Sequence, residues 1–371
     1  MIYIIVYKPT HLDTTPAKTF RKTLKNEKSA SSDKISLPVA QSSFPRDLPP
    51  ISKPLLNPLP STCIPAKLSH MNTTPRIAII GGSGLGAALL AKTTGQPVTV
   101  DTPFGPPSAP ILLSDWQTPA GPIPIAFLAR HGVGHTLNPS QVPYRANIFA
   151  LKSLGCQWII ASGACGSLQE HIRPRDLIIP DQAIDKTHRR AGTFFDHAAV
   201  HVELSQPFCT QLRRILLQAG KSLQLSTHKL HPTGTYVCME GPAFSTRAES
   251  LMHRQWGGDL IGMTALPEAK LAREAEISYA LVALSTDYDS WRPHTPGLDK
   301  SALLAEIISH LHAATDNALA LIQAALPDVW ARREEVLDSH RALELAIWSD
   351  KSKIAPDAVK ALQPIWGKYF G

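Results

Sequence analysis

The sequence has 371 residues, 43% hydrophobic and 18% charged, enough for one large or two ordinary domains with a sizeable core. Its formal net charge of +7 is concentrated in residues 1–71, which carry +6, so we expect no nucleic-acid partner for the nearly neutral remainder. No apolar run approaches the roughly 18 residues of a membrane span, so we expect no membrane partner either.

The five cysteines are scattered, and no two of them form a C-x-x-C pair. This pattern argues against a disulfide framework and a zinc site, and is typical of a reducing compartment. The opening MIYIIVY is too short for a signal peptide and is not followed by a small-residue cleavage site. We therefore expect a cytoplasmic protein.

Residues 1–74 are rich in Ser, Pro, Lys and Thr and show no sustained hydrophobic period. Such a segment buries too little apolar area to offset the entropy of ordering it, so we expect disorder. Met71 stands just before the first convincing strand. We expect that the natural protein starts at Met71, or that the residues before it are a dispensable extension.

From residue 76 onward, short apolar runs alternate with helical patterns. Strands are predicted for RIAIIG (76–81), PIAFLAR (124–130), QWIIASGA (157–164), DLIIPDQ (176–182) and ISYALVAL (277–284). Helices are predicted at 147–155, from a capping-box signature at Thr246 to Gly257, after Pro267, and at 299–325. This alternation predicts an α/β fold with a central mixed β-sheet surrounded by helices.

The last 43 residues also have a helical pattern and contain Trp330, Trp348 and Trp366, three of the seven tryptophans. A disordered tail rarely contains so many tryptophans. We therefore expect this segment to pack on its own body or on a neighbouring subunit.

The glycine-rich stretch GGSGLG (81–86) lies between a predicted strand and a helical pattern. Glycines at this place let backbone N–H groups approach an anion at a helix N-terminus. Gly82, Gly84 and Ala87 also fit the dinucleotide fingerprint, with Asp101 as its acidic residue 19 positions after Gly82. The motif alone leaves three alternatives open: a nucleotide pyrophosphate, inorganic phosphate or another anion, and a plain tight turn.

Further polar or small residues follow predicted strands, where open α/β sheets bind ligands. Arg130, His131 and His135 follow PIAFLAR, and Arg130 could hold a phosphate with two donors or form a surface salt bridge. ASGACGSL (161–168) could present backbone N–H groups to a ligand or simply pack closely. Asp287 and Asp289 follow the apolar strand at 277–284, although paired carboxylates near a core are costly to desolvate.

Residues 76 to about 325 resemble the trimeric nucleoside phosphorylase family, and within it the branch that acts on S-methyl-5′-thioadenosine. The matching segments, in the family's order, are IIGGSGL (79–85), DTPFGPPS (101–108), ARHGVGHT (129–136), YRANIFALKSLGC (144–156), ACGSL (164–168), EGPAFSTRAES (240–250), MTALPE (263–268) and STDYDSW (285–291). The resemblance implies a nucleoside phosphorylase-like fold with a catalytic domain at 75–328 and a helical extension at 329–371.

The implied reaction is phosphorolysis of 5′-methylthioadenosine to adenine and 5-methylthioribose 1-phosphate, with inorganic phosphate as co-substrate and no cofactor or metal. A homotrimer is implied too. A broader purine nucleoside phosphorylase acting on adenosine or inosine is the nearest alternative. More distant ones are an NAD-dependent Rossmann enzyme, a two-carboxylate nucleoside hydrolase and a non-enzymatic ligand sensor.

The resemblance also implies site residues. Phosphate binding is implied for Ser83, Arg130, His131, Gly163, Ala164 and Thr264, and a catalytic role for Asp287, Asp289 and Ser245. Substrate contacts are implied for Phe244 near the base, Met263 against the ribose, Asp287, Asp289, Leu298 at the 5′-substituent, and His201, which would reach a neighbouring subunit's substrate. Two positions depart from the family: Gly163 replaces a hydroxyl residue, so that contact must come from backbone or Ser162, and Gly262 replaces an amide residue.

The carboxyl pair then has a chemical explanation. Burial and a nearby like charge both raise the pKa of a carboxyl group. We expect Asp287 to donate a proton to N7 of the purine while a carboxylate accepts a hydrogen bond from the 6-amino group. An ionised carboxylate would repel a 6-oxo group, so a preference for 6-aminopurines follows.

Overall fold

The structure is a computed structural model that describes residues 75–82, 85, 95–223, 229–293 and 299–370. These residues belong to one compact unit, Leu68–Gly371. The described strands are β1 (Arg76–Gly81), β2 (Gln96–Val98), β3 (Ile111–Thr118), β4 (Gly121–Ala129), β5 (Cys156–Ser167), β6 (Leu177–Ile178), β7 (Gln182–Asp185), β8 (Leu230–His231), β9 (Thr235–Cys238), β10 (Leu260–Gly262) and β11 (Ser278–Tyr288). The described α-helices are α1 (Tyr144–Ser153), α2 (Thr210–Ser222), α3 (Arg247–Gln255), α4 (Ala265–Glu274), α5 (Lys300–Ala331), α6 (Pro356–Ala361) and α7 (Gln363–Trp366).

The strands form one mixed sheet with β5 at its centre. The strands β2, β3, β4, β1 and β5 follow one another across the sheet, and β5 then pairs with both β10 and β11. The pairs β1–β4, β1–β5 and β5–β11 are parallel, so the carboxyl ends of these four strands meet at one edge. That edge is where parallel sheets bind ligands, and it collects the polar residues that follow the predicted strands.

Both faces of the sheet are covered. On β1, Ala78 and Ile80 belong to one apolar cluster, whereas Ile77 and Ile79 belong to another on the opposite face. The first cluster includes residues of α1, α4 and the C-terminal segment, and the second includes residues of α2 and α5. A sheet buried on both faces explains why its central strands are continuous apolar runs. The predicted fold class is therefore confirmed.

Some element boundaries differ from the prediction. The run at 176–182 is not one strand: β6 ends at Ile178 and β7 begins only at Gln182, because Pro180 between them has no N–H to continue a ladder. The last predicted helix extends through Pro327 to Ala331, since Leu326 and Val329 around the proline are fully buried and their packing offsets the roughly 3 kcal/mol cost of a helical proline.

The C-terminal segment is less helical than expected. Beyond the end of α5, its described residues contain the short helices α6 and α7 and three 3-10 turns, at Asp338–Arg341, Lys351–Lys353 and Gly367–Tyr369. As expected, it packs on its own body: Trp366 is 1% exposed and its ring lies 4.8 Å from that of Phe195. Trp348, in contrast, is 72% exposed.

The dinucleotide alternative does not agree with the topology. In that fold the acidic residue ends a strand parallel to the first one and beside it. Here β2 lies at the far edge of the sheet and runs antiparallel to β3, and Asp101 is exposed outside any strand. Asp101 therefore does not occupy the position of the acidic residue in a dinucleotide-binding fold.

Two further sequence features can be compared with the described residues. Cys156, Cys165, Cys209 and Cys238 are free and buried, and Cys63 lies outside the described part. None of the helices in the described ranges has the combination of length and apolar character needed to cross a bilayer.

Candidate active site

Arg130 follows β4 directly, and its guanidinium lies inside the protein against a carboxylate. Its Nε donates to Oε2 of Glu268 at 2.7 Å and its Nη2 donates to Oε1 at 2.8 Å, with both side chains 0% exposed. Burial alone would lower the pKa of Arg130, but the Glu268 carboxylate more than offsets this and raises that pKa. Tyr279 donates its hydroxyl to the same carboxylate at 2.8 Å. Arg130 is thus a charged fork held in one orientation.

Backbone groups of two strands surround this fork. Nη1 of Arg130 donates to the Ser162 carbonyl at 2.8 Å, and the Gly82 N–H points at the Ser162 hydroxyl at 3.4 Å. A Cβ on Gly82 would lie 2.7 Å from both Nη1 and the Ser162 carbonyl oxygen, so only glycine fits here. The Thr264 hydroxyl lies 3.6 Å from the Cβ position of Gly163. Gly82, Arg130, Gly163 and Thr264 therefore lie close together.

The fork retains hydrogen-bonding capacity. A guanidinium has five N–H donors, and the bonds to Glu268 and Ser162 use one each on Nε, Nη1 and Nη2. Counted over the described residues, one N–H on Nη1 and one on Nη2 remain for a ligand. Two such donors beside Gly82 match two oxygens of a tetrahedral anion.

His131 is the second residue after β4, and its ring is neutral. Burial, followed by the charge of Arg130, lowers the pKa of His131 to about 4. Its Nδ1 lies 2.8 Å from the Leu137 carbonyl, which can only accept, so Nδ1 carries the proton. Nε2 is then an acceptor, suited to the hydroxyl of a partly protonated phosphate. The His135 ring stacks on it at 4.2 Å.

The strand β11 extends further than predicted and contains the first carboxyl of the pair. A register irregularity between Ser285 and Asp287 pairs Asp287 with Gly166 of β5 and leaves Thr286 as the extra residue. Such bulges re-aim side chains at strand ends. Burial, opposed by a 2.6 Å hydrogen bond from the Thr286 hydroxyl and supported by the charge of Asp289, raises the pKa of Asp287 to about 6. The direction is the one expected for a proton donor.

Asp289 is buried just beyond the strand and is held by its backbone. Its N–H donates to the Ser167 carbonyl at 3.0 Å, and the Trp291 indole N–H donates to the same carbonyl at 2.8 Å. The Cβ position of Gly166 is only 3.4 Å from Cβ of Asp289. Among the described residues, Oδ2 of Asp289 is buried without a hydrogen-bond partner. A ligand donor such as an exocyclic amine would satisfy this oxygen.

The turn before α3 lies beside the carboxyl pair. Ser290 donates its hydroxyl to the Ser245 carbonyl at 2.8 Å, which links this turn to the residue after Asp289. Phe244 is 70% exposed, whereas Ser245 is buried with its hydroxyl 3.8 Å from the sulfur of Met239. An exposed aromatic ring next to buried carboxyls is suited to stacking on a planar base.

Met263 is positioned by a second buried arginine. Arg190 donates to the carbonyls of Met263 at 2.5 Å, Leu266 at 2.8 Å and Glu240 at 2.5 Å. Gly241 has φ +68°, and a Cβ there would lie 2.5 Å from the Met263 sulfur. The thioether of Met263 therefore lies against the backbone of the turn.

Tyr236 compensates for the missing side chain at position 262. A Cβ on Gly262 would lie 1.9 Å from the Tyr236 hydroxyl oxygen, so the phenol fills the space that an amide residue would need. Gly262 stands two residues before Thr264, so the phenol packs against the backbone that leads to Thr264. Tyr236 thus supports the residue predicted to close the phosphate site.

Not all predicted residues lie in this cluster. His201 is exposed on a separate segment, where its ring contacts Trp348 at 4.8 Å. Ala164 is half-buried in β5 opposite Leu284 of β11. Ser83 and Leu298 lie outside the described residues.

Three residues of this site, Glu268, Arg190 and Tyr236, were missed by the sequence analysis. Glu268 occupies the first turn of a helix, where acidic residues are common, and Tyr236 belongs to an apolar strand. Arg190 is in a polar loop without periodicity. The only available signal was that Glu268 lies within the MTALPE segment.

The sequence profile of the phosphorylase superfamily matches residues 76–327. This chain belongs to the phosphorylase superfamily. The eight motif segments that carry the resemblance, from IIGGSGL (79–85) to STDYDSW (285–291), all fall inside the matched range. Superfamily membership also agrees with the mixed sheet described above, whose central strands carry the candidate site at their carboxyl ends.

Individual members of the superfamily are similar over most of the chain. The S-methyl-5′-thioadenosine phosphorylase of Thermosynechococcus vestitus is 44% identical over 298 residues, covering 80% of this chain and 100% of that protein. A crystal structure of methylthioadenosine phosphorylase from an antarctic soil metagenomic library has TM-score 0.71 and 42% identity, covering 79% of this chain and 99% of that one. The Schistosoma mansoni methylthioadenosine phosphorylase in complex with adenine has TM-score 0.66 and 33% identity, covering 74% and 99%.

Proposed function

We propose that this protein catalyses the phosphorolysis of S-methyl-5′-thioadenosine, giving adenine and 5-methylthioribose 1-phosphate. The similarity to methylthioadenosine phosphorylases supports this activity. The geometric observation that carries it is the spacing along β5: Gly163 faces the Thr264 hydroxyl, and Gly166 pairs with Asp287. Three strand residues span about 10 Å, which leaves room for a ribosyl group between an anion and a base.

Phosphate binds at the Arg130 fork in this proposal. The two remaining guanidinium N–H groups, the backbone at Gly82 and Gly163, and the Thr264 hydroxyl hold its oxygens, and His131 Nε2 accepts its hydroxyl. Ser83 completes the site through its hydroxyl. The anion serves as nucleophile at C1′ and stabilises the positive charge that develops on the ribosyl group.

The purine binds at the carboxyl pair. As the C1′–N9 bond breaks, electron density moves onto the purine, and Asp287 donates a proton or hydrogen bond to N7. The carboxylate of Asp289 accepts from the 6-amino group. Phe244 covers the base, while Ser245 supports the turn that carries Phe244. Met263 lies against the ribose.

The carboxyl pair favours 6-aminopurines over 6-oxopurines. An ionised carboxylate next to a 6-oxo group places two acceptors together, which costs about 1–3 kcal/mol for each unsatisfied buried group. A broader activity that includes adenosine is compatible with the two carboxyl groups. A preference for inosine is not compatible with them. No cofactor enters this chemistry, because phosphate itself is the second substrate.

The active oligomer is proposed to be a homotrimer in which His201 approaches the 5′ side of a neighbouring subunit's substrate, with Leu298 forming an apolar part of the same pocket. The exposure of His201 is consistent with this arrangement. The four buried free thiols suit a reducing compartment such as the cytoplasm.

One assay tests the activity. The protein is incubated with 5′-methylthioadenosine, adenosine or inosine, with and without inorganic phosphate, and free base and sugar phosphate are quantified. We expect adenine and 5-methylthioribose 1-phosphate in equal amounts, only with phosphate, and little reaction with inosine. Adenine release without phosphate would indicate a hydrolase, and preferred turnover of inosine would contradict the base assignment.

A further inference from the structure

The C-terminal segment pairs with the backbone that carries His201. Val200 and Ile347 form an antiparallel bridge, His201 donates its N–H to the Ala346 carbonyl at 2.9 Å, and Trp348 donates its N–H to the Ala199 carbonyl at 3.0 Å. Ala199 in turn donates to the Ser349 hydroxyl at 2.7 Å. The two segments thus form a short ladder, residues 199–201 against 346–349.

This ladder is the only regular pairing of a long connection. Between β7 and α2, residues 186–209 are described throughout and contain no helix or strand apart from the bridge at Val200. A residue on such a connection ordinarily samples many orientations. Pairing with 346–349, together with the hydrogen bond from Arg273 to the Glu203 carbonyl at 3.0 Å, therefore restricts the backbone at His201.

The partner segment is itself firmly attached to the body of the protein. The carboxylate of Glu276, buried beside β11, accepts hydrogen bonds from the Tyr369 hydroxyl at 2.6 Å and the Leu343 N–H at 3.1 Å. Lys368 lies 2.7 Å from the other carboxylate oxygen. Trp366 packs against Phe195 inside the core. The segment is thereby attached on both sides of residues 346–349.

The side chain of Trp348 makes one ring contact that its exposure would not predict. The ring is 72% exposed, yet it meets the His201 ring edge-on, with centroids 4.8 Å apart and an interplanar angle of 66°. Within a single chain, burial does not account for the position of the indole. The edge-to-face contact restricts the imidazole to one side of the ladder.

We propose that the C-terminal segment positions His201 for the neighbouring active site, and that Trp348 is the positioning residue. The inference rests on the proposed function, because it uses the role assigned to His201. Trp348 acts through the imidazole. Its ring already restricts the orientations of the His201 side chain in the free enzyme, so less conformational entropy is lost when the 5′-substituent binds. This pre-organisation improves substrate binding. Phosphate binding, at the other end of the site, is unaffected.

The test is a double-mutant cycle on the full-length protein. The variants are Trp348→Ala, Trp348→Phe, His201→Ala and the Trp348→Ala/His201→Ala pair, with Leu345→Ala as control because Leu345 is 88% exposed in the same segment. The KM for 5′-methylthioadenosine and for phosphate, kcat, the thermal midpoint and the oligomeric state are measured for each.

We expect Trp348→Ala to raise the KM for 5′-methylthioadenosine roughly three- to tenfold, the size of effect of an aromatic pair, with phosphate KM, stability and oligomer unchanged. Trp348→Phe should retain most of the affinity. The double variant should be no worse than His201→Ala, because Trp348 acts only through His201.

Additive losses in the cycle would overturn the inference, since Trp348 would then act independently of His201. Dissociation of the oligomer by Trp348→Ala would also overturn it. If the wild-type protein did not catalyse phosphorolysis of 5′-methylthioadenosine, the proposed function itself would be refuted. If the wild-type protein is active and Trp348→Ala has the same KM for 5′-methylthioadenosine, only this inference is refuted.

Discussion

Arg130 and Glu268 lie 138 residues apart in the sequence and form a two-pronged, fully buried ion pair at the edge of the sheet. Each charge is costly to bury, and each is tolerated only because the other neutralises it. The pair fixes the arginine fork at the place where phosphate is proposed to bind.

Replacing Glu268 by Gln should therefore affect both stability and phosphate binding. The variant leaves a buried charge uncompensated, which costs about 3–5 kcal/mol, and frees the guanidinium to turn away from the glycine turn. We expect a large loss in the free energy of unfolding measured in urea, and a phosphate KM raised more than the nucleoside KM. Glu335→Gln is the control, because its pair with Arg332 is exposed and should contribute less than about 1 kcal/mol. Unchanged phosphate KM in Glu268→Gln would contradict the assignment.

The proposed acid should determine the pH dependence of the reaction. The pKa of Asp287 is raised to about 6, chiefly by burial, and the group donates only when protonated. At saturating phosphate, kcat/KM for 5′-methylthioadenosine should be highest below pH 6 and fall as the pH rises through that value. Asp287→Asn should remove this limb of the profile and shift selectivity toward inosine.

Asp101→Asn serves as the control for Asp287→Asn, since Asp101 is exposed outside the sheet and should leave the profile intact. If Asp287→Asn retained both the wild-type pH profile and the wild-type preference for 6-aminopurines, Asp287 would not be the donor.

A third prediction concerns stability and Glu274. Burial raises the pKa of Glu274 from 4.5 to about 7, although the Phe194 N–H donates to its carboxylate at 2.8 Å. Because the folded-state pKa lies above the unfolded one, the stability that the protonated group contributes is complete below about pH 4.5 and is lost as the pH rises through 7. Glu274→Gln, which keeps the acceptor, should match wild type at pH 4 and be more stable at pH 8, by at most about 3 kcal/mol. Urea unfolding at the two pH values measures this, and equal stability at pH 8 would show that Glu274 carries no such penalty.

The glycine turn provides a steric prediction. An added methyl group at Gly82 would lie 2.7 Å from Nη1 of Arg130 and from a backbone oxygen, so the turn or the fork must move. We expect Gly82→Ala to raise phosphate KM roughly ten- to a hundredfold, since displacing a positioned group by about 1 Å can cost up to about 10²-fold. Gly192→Ala, whose methyl group would have 4.0 Å of clearance, is the matched control. Similar phosphate KM values for both variants would place the anion elsewhere.

Much of the fold was predictable from local patterns. β1 matches the predicted strand, and α3 begins at the predicted capping box, where Thr246 and Glu249 exchange hydrogen bonds. These features depend on neighbours within about four residues, so hydrophobic period and capping chemistry are sufficient to locate them. The single strand predicted at 176–182 was wrong, because Pro180 separates the short β6 from the start of β7 at Gln182.

The candidate site was only partly predictable. The motif segments indicated Arg130, Thr264 and the carboxyl pair. They did not indicate that Glu268 neutralises Arg130, that Tyr236 replaces a side chain at position 262, or that Arg190 holds Met263. Each of these partners looks like an ordinary helix, strand or loop residue in the sequence.

By itself, the sequence determined which residues form strands and helices, and that polar groups follow the parallel strands, because both depend on short-range periodicity. Only the tertiary structure decided which buried charges neutralise each other, how the bulge at Thr286 places Asp287 opposite Gly166, and that the C-terminal segment pairs with the residues beside His201. Those choices depend on contacts between distant parts of the chain, where close packing and the cost of an unpaired buried charge permit few partners.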